Sequence, residues 1–291
     1  MSLTELDRAA VRRSFDRAAP DYDEHAVLQH EVESRLLDRL DFLRTEPARI
    51  LDMGCGTGIA CASLAKRYPA AQVIGLDASS RMLRRATERA PAPVTVCGDM
   101  HALPFPRHSV DLVFSSLAVQ WSDRLEELLL GVRRVLKPGG MLLFSTFGPD
   151  TLHELRSAWA RVDDRAHVNR FPDMHDIGDQ LVAAGFSEPV MDVDRLTVEY
   201  PNVLALMRDL KVIGARNAAV GRPRGLTGRR ALAQVAEAYE SFRKGEIYPA
   251  TYEVVYGAAF GPAEGQPIRT PGGEEATFSL ESLKSTRKPG R

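Results

Sequence analysis

The stretch Ile50-Leu51-Asp52-Met53-Gly54-Cys55-Gly56-Thr57-Gly58 constrains this chain more than any other, because a short apolar run enters three glycines at alternate positions. Glycine adopts backbone conformations closed to other residues and lets the main chain approach a ligand closely. The residues after it, 59–67, have helical periodicity, so the stretch reads as a strand turning sharply into a helix. Four more β-rich runs follow at 72–76, 94–97, 110–115 and 141–146, each separated from the next by helix-like residues. That alternation predicts an α/β fold, a parallel sheet with helices on both faces.

The glycine spacing then limits the ligand. A dinucleotide fingerprint is Gly-x-Gly-x-x-Gly and a nucleotide P-loop ends in Gly-Lys-Ser/Thr; this turn is Gly-x-Gly-x-Gly with no lysine. A tight strand-to-helix turn with no ligand uses the same residues. Three acids narrow the choice: Asp52 in the first strand, Asp77 after the second and Asp99 after the third fall on one rim of the sheet. Three carboxylates repel a pyrophosphate and suit a cation that offers hydrogen-bond donors. S-adenosylmethionine carries a sulfonium, an α-amino group, a ribose diol and an exocyclic amine, which match these acids by position.

Lys+Arg 38 against Asp+Glu 39 leaves a net charge of -1, which gives no overall basic field to hold a nucleic acid. The three cysteines, Cys55, Cys61 and Cys97, form no Cys-x-x-Cys pair; a reduced cytoplasmic protein is expected, with Cys55 and Cys97 as small packed side chains. The charged N-terminal residues do not read as a secretory signal, and no run reaches membrane-spanning length.

The chain divides into four expected parts. Residues 1–45 read as two helices broken near Pro20, an N-terminal lid; 46–147 as the cofactor-binding core; 148–260 as cap helices with further strands at 190–200 and 250–260; and 261–291, rich in Gly, Pro and Ser, as a loose tail whose Leu280 and Leu283 are placed to dock on the sheet edge. Helices are expected at 151–162 and 176–184. Two metal-like strings are dismissed: His153-Glu154 has Ser157 where a zincin needs its second histidine, and Asp173 precedes Asp176 as a helix cap would.

These residues resemble the class I S-adenosylmethionine-dependent methyltransferases. Leu51 to Gly58 looks like that family's first motif, Asp77 its ribose-binding acid, Asp99-Met100 its adenine-side motif, and Leu136-Lys137-Pro138-Gly139-Gly140 the turn before its fifth strand. The resemblance implies a Rossmann-like sheet of seven strands with the last antiparallel, no metal, and a cofactor set of Asp52, Gly54, Cys55, Gly56, Gly58, Asp77, Ala78, Met82, Asp99, Met100, Ser115 and Leu117.

Further blocks are more specific: Phe15 to Asp23 with its Tyr22, Leu117-Ala118-Val119-Gln120-Trp121, residues 158–171 ending in His167-Val168-Asn169-Arg170-Phe171, then 207–217, 225–227 and 248–257. They are similar to the malonyl-[acyl-carrier protein] O-methyltransferase family of biotin synthesis over residues 15–261. The resemblance implies methyl transfer to the free carboxylate of a malonyl thioester, carried by acyl-carrier protein or coenzyme A. Tyr22, Asn169, Arg208 and Asn217 are the expected carboxylate-binding residues, with no general base, since a carboxyl of pKa about 4 is already ionised at neutral pH. Cap arginines, Arg161, Arg165, Arg170 and Arg216 among them, are candidates to meet an acidic carrier. Two alternatives share these blocks: a small-acid carboxyl methyltransferase of the trans-aconitate type, and a non-methylating assembly factor acting on a protein partner.

Overall fold

Successive apolar residues in the first strand go to opposite faces of the sheet, and this sets the architecture. In the computed structural model, which describes residues 5–42, 46–222, 225, 227–263, 265, 268–270 and 273–275, Ile50 packs into one core cluster and Leu51 into another. Leu112 and Val113, and Leu143 and Leu142, divide in the same way. A strand apolar on both faces needs helices above and below it.

The chain starts with α1 (Arg8–Ala18), α2 (Tyr22–His25) and α3 (Val27–Asp38), continued by a 3-10 turn at Arg39–Phe42. Three pieces therefore stand where two helices were expected. The break falls at Pro20, which has no N–H to continue α1, and a second kink at Ala26 divides the rest. Then come β1 (Arg49–Met53), α4 (Ile59–Arg67), β2 (Gln72–Asp77), α5 (Ser80–Thr87), β3 (Val94–Cys97), β4 (Val110–Ser115), a 3-10 turn at Val119–Trp121, α6 (Leu125–Val135) and β5 (Leu136–Phe147). The remainder is α7 (His153–Ala160), α8 (Met174–Ala183), β6 (Ser187–Tyr200), α9 (Val203–Val212), α10 (Arg229–Tyr239) and β7 (Tyr248–Phe260).

The sheet order is β3-β2-β1-β4-β5-β7-β6. The first five strands are parallel; β7 runs antiparallel to β5, and β6 antiparallel to β7. The α/β class and the antiparallel last strand agree with expectation. The order reverses between β1 and β4, and the crevice beyond the carboxyl ends of such strands is where open α/β sheets bind ligands.

Two boundaries shift for identifiable reasons. Residues 136–140, expected as a turn before β5, bulge out of that strand. Val110 pairs with Leu136 and Leu112 already with Met141, while Gly139 has φ +74° and the Lys137 ammonium binds Asp111 at 2.7 Å. Helix α8 starts two residues early because the Asp173 carboxylate accepts from the His175 N–H at 2.8 Å. Within the expected loose tail, β8 (Ile268–Thr270) and β9 (Gly273–Glu275) form a two-stranded antiparallel sheet. Leu280 and Leu283 lie outside the described residues.

Candidate active site

All three turn glycines have left-handed backbones, with φ of +78° at Gly54, +52° at Gly56 and +79° at Gly58. At Gly54 space is also closed, since a Cβ there would meet Ala118 Cβ at 2.3 Å. The turn brings the ends of β1, β2 and β3 around a cavity of about 460 Å³ lined by Gly54, Asp77, Ala78, Asp99 and Met100. Helix α1 closes the far side with Arg8, Arg12 and Phe15, and His101, Ala118 and Trp121 complete the wall.

The acids differ in state. Asp77 accepts from the Gly56 N–H at 3.0 Å and the Ser79 N–H at 2.7 Å, one per oxygen, which leaves each oxygen a lone pair for a ligand. Burial raises its pKa, those bonds pulling the other way. Burial alone would raise Asp99 too, but hydrogen bonds from the His101 N–H and ring Nδ1 outweigh it and hold Asp99 below the usual range. The other His101 ring nitrogen meets Ser122 Oγ at 2.8 Å, so this histidine is fixed at both ends. Asp52 lies buried beneath the turn and accepts from Cys61 Sγ at 3.1 Å. Burial pushes its carboxyl up to about 7, and half-buried Glu33 on α3, burdened also by the Asp52 charge, up to about 8.

Both groups titrate above their unfolded values of about 4, so the folded protein holds more protons than the unfolded chain between about pH 4 and 8. Stability they contribute is present below about pH 4 and lost as pH rises through 7 to 8. Urea midpoints of the cofactor-free protein should therefore fall from about pH 5.5 to 8.5, and Asp52→Asn should flatten that decline. Parallel profiles for parent and variant would show that Asp52 is not the group responsible.

Other expected cofactor residues shape the site without lining the cavity. Ser115 Oγ donates to Met53 O at 2.8 Å, Met82 packs against Ala18 and Ala19, and Leu117 holds a positive φ of 46° while its N–H meets Ser145 Oγ at 3.0 Å. Cys55 is buried as expected. Cys97 is not: it ends the short edge strand β3, is exposed and lines the cavity.

The N-terminal segment is tied down along its length. Arg8 sits 2.7 Å from Asp123 and 3.6 Å from Asp99, Asp16 accepts from Ser79 Oγ at 2.6 Å, and Asp23 accepts from Thr57 Oγ1 at 2.6 Å. Phe15 stands edge-on to Trp121 with ring centroids 5.4 Å apart. Tyr22 packs beside Phe15 and Met82, and burial with the nearby Glu33 charge raises its pKa.

Trp121 is also a wall of a second, smaller cavity of about 70 Å³, shared with Gln120, His167, Asn169, Arg216 and Asn217. Gln120 Oε1 and Asn169 Oδ1 are buried there without a hydrogen-bond partner among the described residues. Asn217 is committed to the backbone, donating to Ala166 O and accepting from the Ala219 N–H at 3.0 Å. Arg208 is set apart. Exposed on α9, it lines a third cleft between α3, β6 and α9, so the helix phase of 203–212 turns it away from Asn169, and Arg216 is the cation on the second cavity.

Residues 51–144 match the model described as "Methyltransferase domain". A malonyl-[acyl-carrier protein] O-methyltransferase of Gallionella capsiferriformans is 50% identical over 267 residues, 89% of this chain and 92% of that protein. One from Halorhodospira halophila is 48% identical over 289 residues, 97% of each. The chain belongs to this family. Among solved structures, a SAM-dependent methyltransferase of Thermotoga maritima superposes with TM-score 0.54 at 18% identity, covering 86% of this chain and 99% of that one. The YcgJ protein of Bacillus subtilis gives 0.55 at 18%, covering 81% and 100%. These distant likenesses show the class I methyltransferase fold.

Glu154 is buried and holds β7, accepting from the Thr251 N–H at 3.1 Å and from its hydroxyl. Among the described residues no three His, Cys, Asp or Glu side chains gather as a metal site, and no helix is long and apolar enough to cross a membrane. Arg8, Phe15, His101, Trp121 and Arg216 line the two cavities although the motif reading did not single them out as site residues.

Proposed function

We propose that this chain transfers a methyl group from S-adenosylmethionine to the free carboxylate of malonyl-[acyl-carrier protein], giving a methyl ester that masks the charge for biotin precursor synthesis. The observation that carries it is the shared wall at Trp121, which sets a cavity rimmed by acids against one that holds Arg216 and Asn169. The family relatives that bear this name support the substrate.

The residues fit the cofactor. Asp77 keeps two free lone pairs for a diol, Asp99 stays ionised beside Met100, and buried Asp52 gains from a nearby cation because ionising it unaided is costly. When bound, S-adenosylmethionine supplies an electrophilic methyl on a sulfonium. The protein's own work is orientation: Arg216 and the Asn169 amide hold the malonyl carboxylate, Gln120 closes the wall, and Phe147, Phe171 and Tyr252 exclude water. Aligned reactants gain several kcal/mol over free ones, and one carboxylate oxygen must stay unbound to attack. Tyr22 and Asn217 support the walls, and residues 1–45 act as the lid over the 46–147 core, with 148–260 as the cap. Free buried Cys55 and Cys61 suit a reducing cytoplasm.

The test is to incubate the purified protein with labelled S-adenosylmethionine and malonyl carrier protein, expecting an alkali-labile methyl ester. Label on a free tricarboxylate instead would select the small-acid reading, and no label on either would favour the assembly role. For the cofactor, Asp77→Ala should weaken binding by roughly 1–3 kcal/mol. Titration calorimetry that gives the parent affinity in a folded variant would remove Asp77 from the site.

A further inference from the structure

The third cleft, about 640 Å³, adjoins the second cavity, and Gln29, Ile213 and Tyr252 line both. Trp121 lines both the second cavity and the cofactor cavity, so the three spaces adjoin in series through shared walls, Trp121 at one and this trio at the other. That volume is in the range that takes a chain-like organic ligand. Its walls are mixed: Leu28, Val198 and Val212 are apolar, Thr197 is polar, and Gln29 makes no side-chain hydrogen bond among the described residues.

Among the described residues of this lining Arg208 is the unpaired cation, and Glu24 is an unpaired carboxylate. Asp209 beside Arg208 is engaged by the Tyr200 hydroxyl at 2.7 Å, and Glu31 across the cleft by Arg35 at 2.8 Å. Glu24, on α2, is the remaining carboxylate of the lining. One turn along α9, exposed Lys211 adds a second cation outside the lining. A cleft of mixed walls with the free Gln29 amide within and an uncommitted guanidinium in its wall suits a chain that bears amides and ends in a phosphate.

We propose that the phosphopantetheine arm of the acyl-carrier protein lies in this cleft, with its phosphate at Arg208 and its thioester passing the Gln29, Ile213 and Tyr252 neck toward Trp121. This rests on the reading that a malonyl thioester is the acceptor. It gives Arg208 a role at the far end of the substrate from the reacting carboxylate. Coenzyme A offers the same arm and phosphate, so the carrier and coenzyme A share this part of the site.

The test uses the full chain with three acceptors: malonyl carrier protein, malonyl-coenzyme A and malonyl-pantetheine, which has no phosphate. Arg208→Ala should raise KM about tenfold for both phosphate-bearing acceptors, with kcat held, and move KM for malonyl-pantetheine far less. An equal change for all three, or none, would overturn the phosphate assignment, as would a change for the carrier alone. Calorimetry should show weaker coenzyme A binding to the same variant, and unaltered binding would count against it. Ile213→Trp, which fills the neck, should depress kcat/KM for all three while S-adenosylmethionine affinity holds; parent-like turnover would overturn the route. If the parent methylates none of the three, the acceptor class itself fails and the route with it.

Discussion

Gly54→Ala is expected to abolish detectable cofactor binding, while Gly56→Ala weakens it modestly. Both positions have positive φ, at +78° and +52°, and a side chain there carries a backbone cost of roughly 1–2 kcal/mol. They differ in space. A Cβ on Gly54 would stand 2.3 Å from Ala118 Cβ, whereas one on Gly56 meets nothing within 4 Å. Overpacking adds about 1–3 kcal/mol, and here it pushes apart Gly54 and Ala118, two walls of the cofactor cavity. Pairing Gly54→Ala with Ala118→Gly should recover part of the loss, the steric share and not the dihedral share. Calorimetric titration with S-adenosylmethionine across the four proteins reads this directly. Equal affinities for the two single variants would mean that the Ala118 contact does not govern the cavity.

The cofactor half was legible in the sequence because its determinants are local. Each acid stands at or near the carboxyl end of its own strand, Asp52 within β1, Asp77 closing β2 and Asp99 two residues past β3, and the glycine spacing states the turn without reference to anything distant. Short β-rich runs between helical stretches located β1 to β4 within a residue, and β7 within two at its start. The cap site was less legible because it is assembled from segments far apart in the chain: Gln29, Gln120, His167 to Asn169, Arg216 and Tyr252 meet across more than two hundred positions. Which arginine faces inward there depends on where α9 begins, and Asn202 decides that by accepting from the Ala205 N–H at 2.8 Å. Asn169 carries a family block as well as a cavity position. Arg8 gave no pattern of its own, and only the fold brings it to Asp99, whereas His101 reaches Asp99 from two residues along the chain.

Deleting residues 1–24 should leave a folded sheet domain with turnover lowered at least a hundredfold. The sheet order and both core clusters are built from residue 32 onward, so the deletion does not touch them; it removes Leu6, Ala18 and Ala19 from the buried set. It also removes Arg8 from Asp99 and Asp123, Asp16 from Ser79, Asp23 from Thr57, and Phe15 from Trp121. Chemistry that depends on aligning two reactants and excluding water is most sensitive to such a loss. A pure lid would spare cofactor affinity. Here α1 supplies Arg8, Arg12 and Phe15 to the cofactor cavity itself, so affinity should fall as well, by less than turnover. Circular dichroism, calorimetric affinity and methyl transfer on the truncated protein separate these effects. Near-parent turnover would show that the N-terminal helices do not close the site, and loss of the sheet's cooperative unfolding would show that they are part of the core.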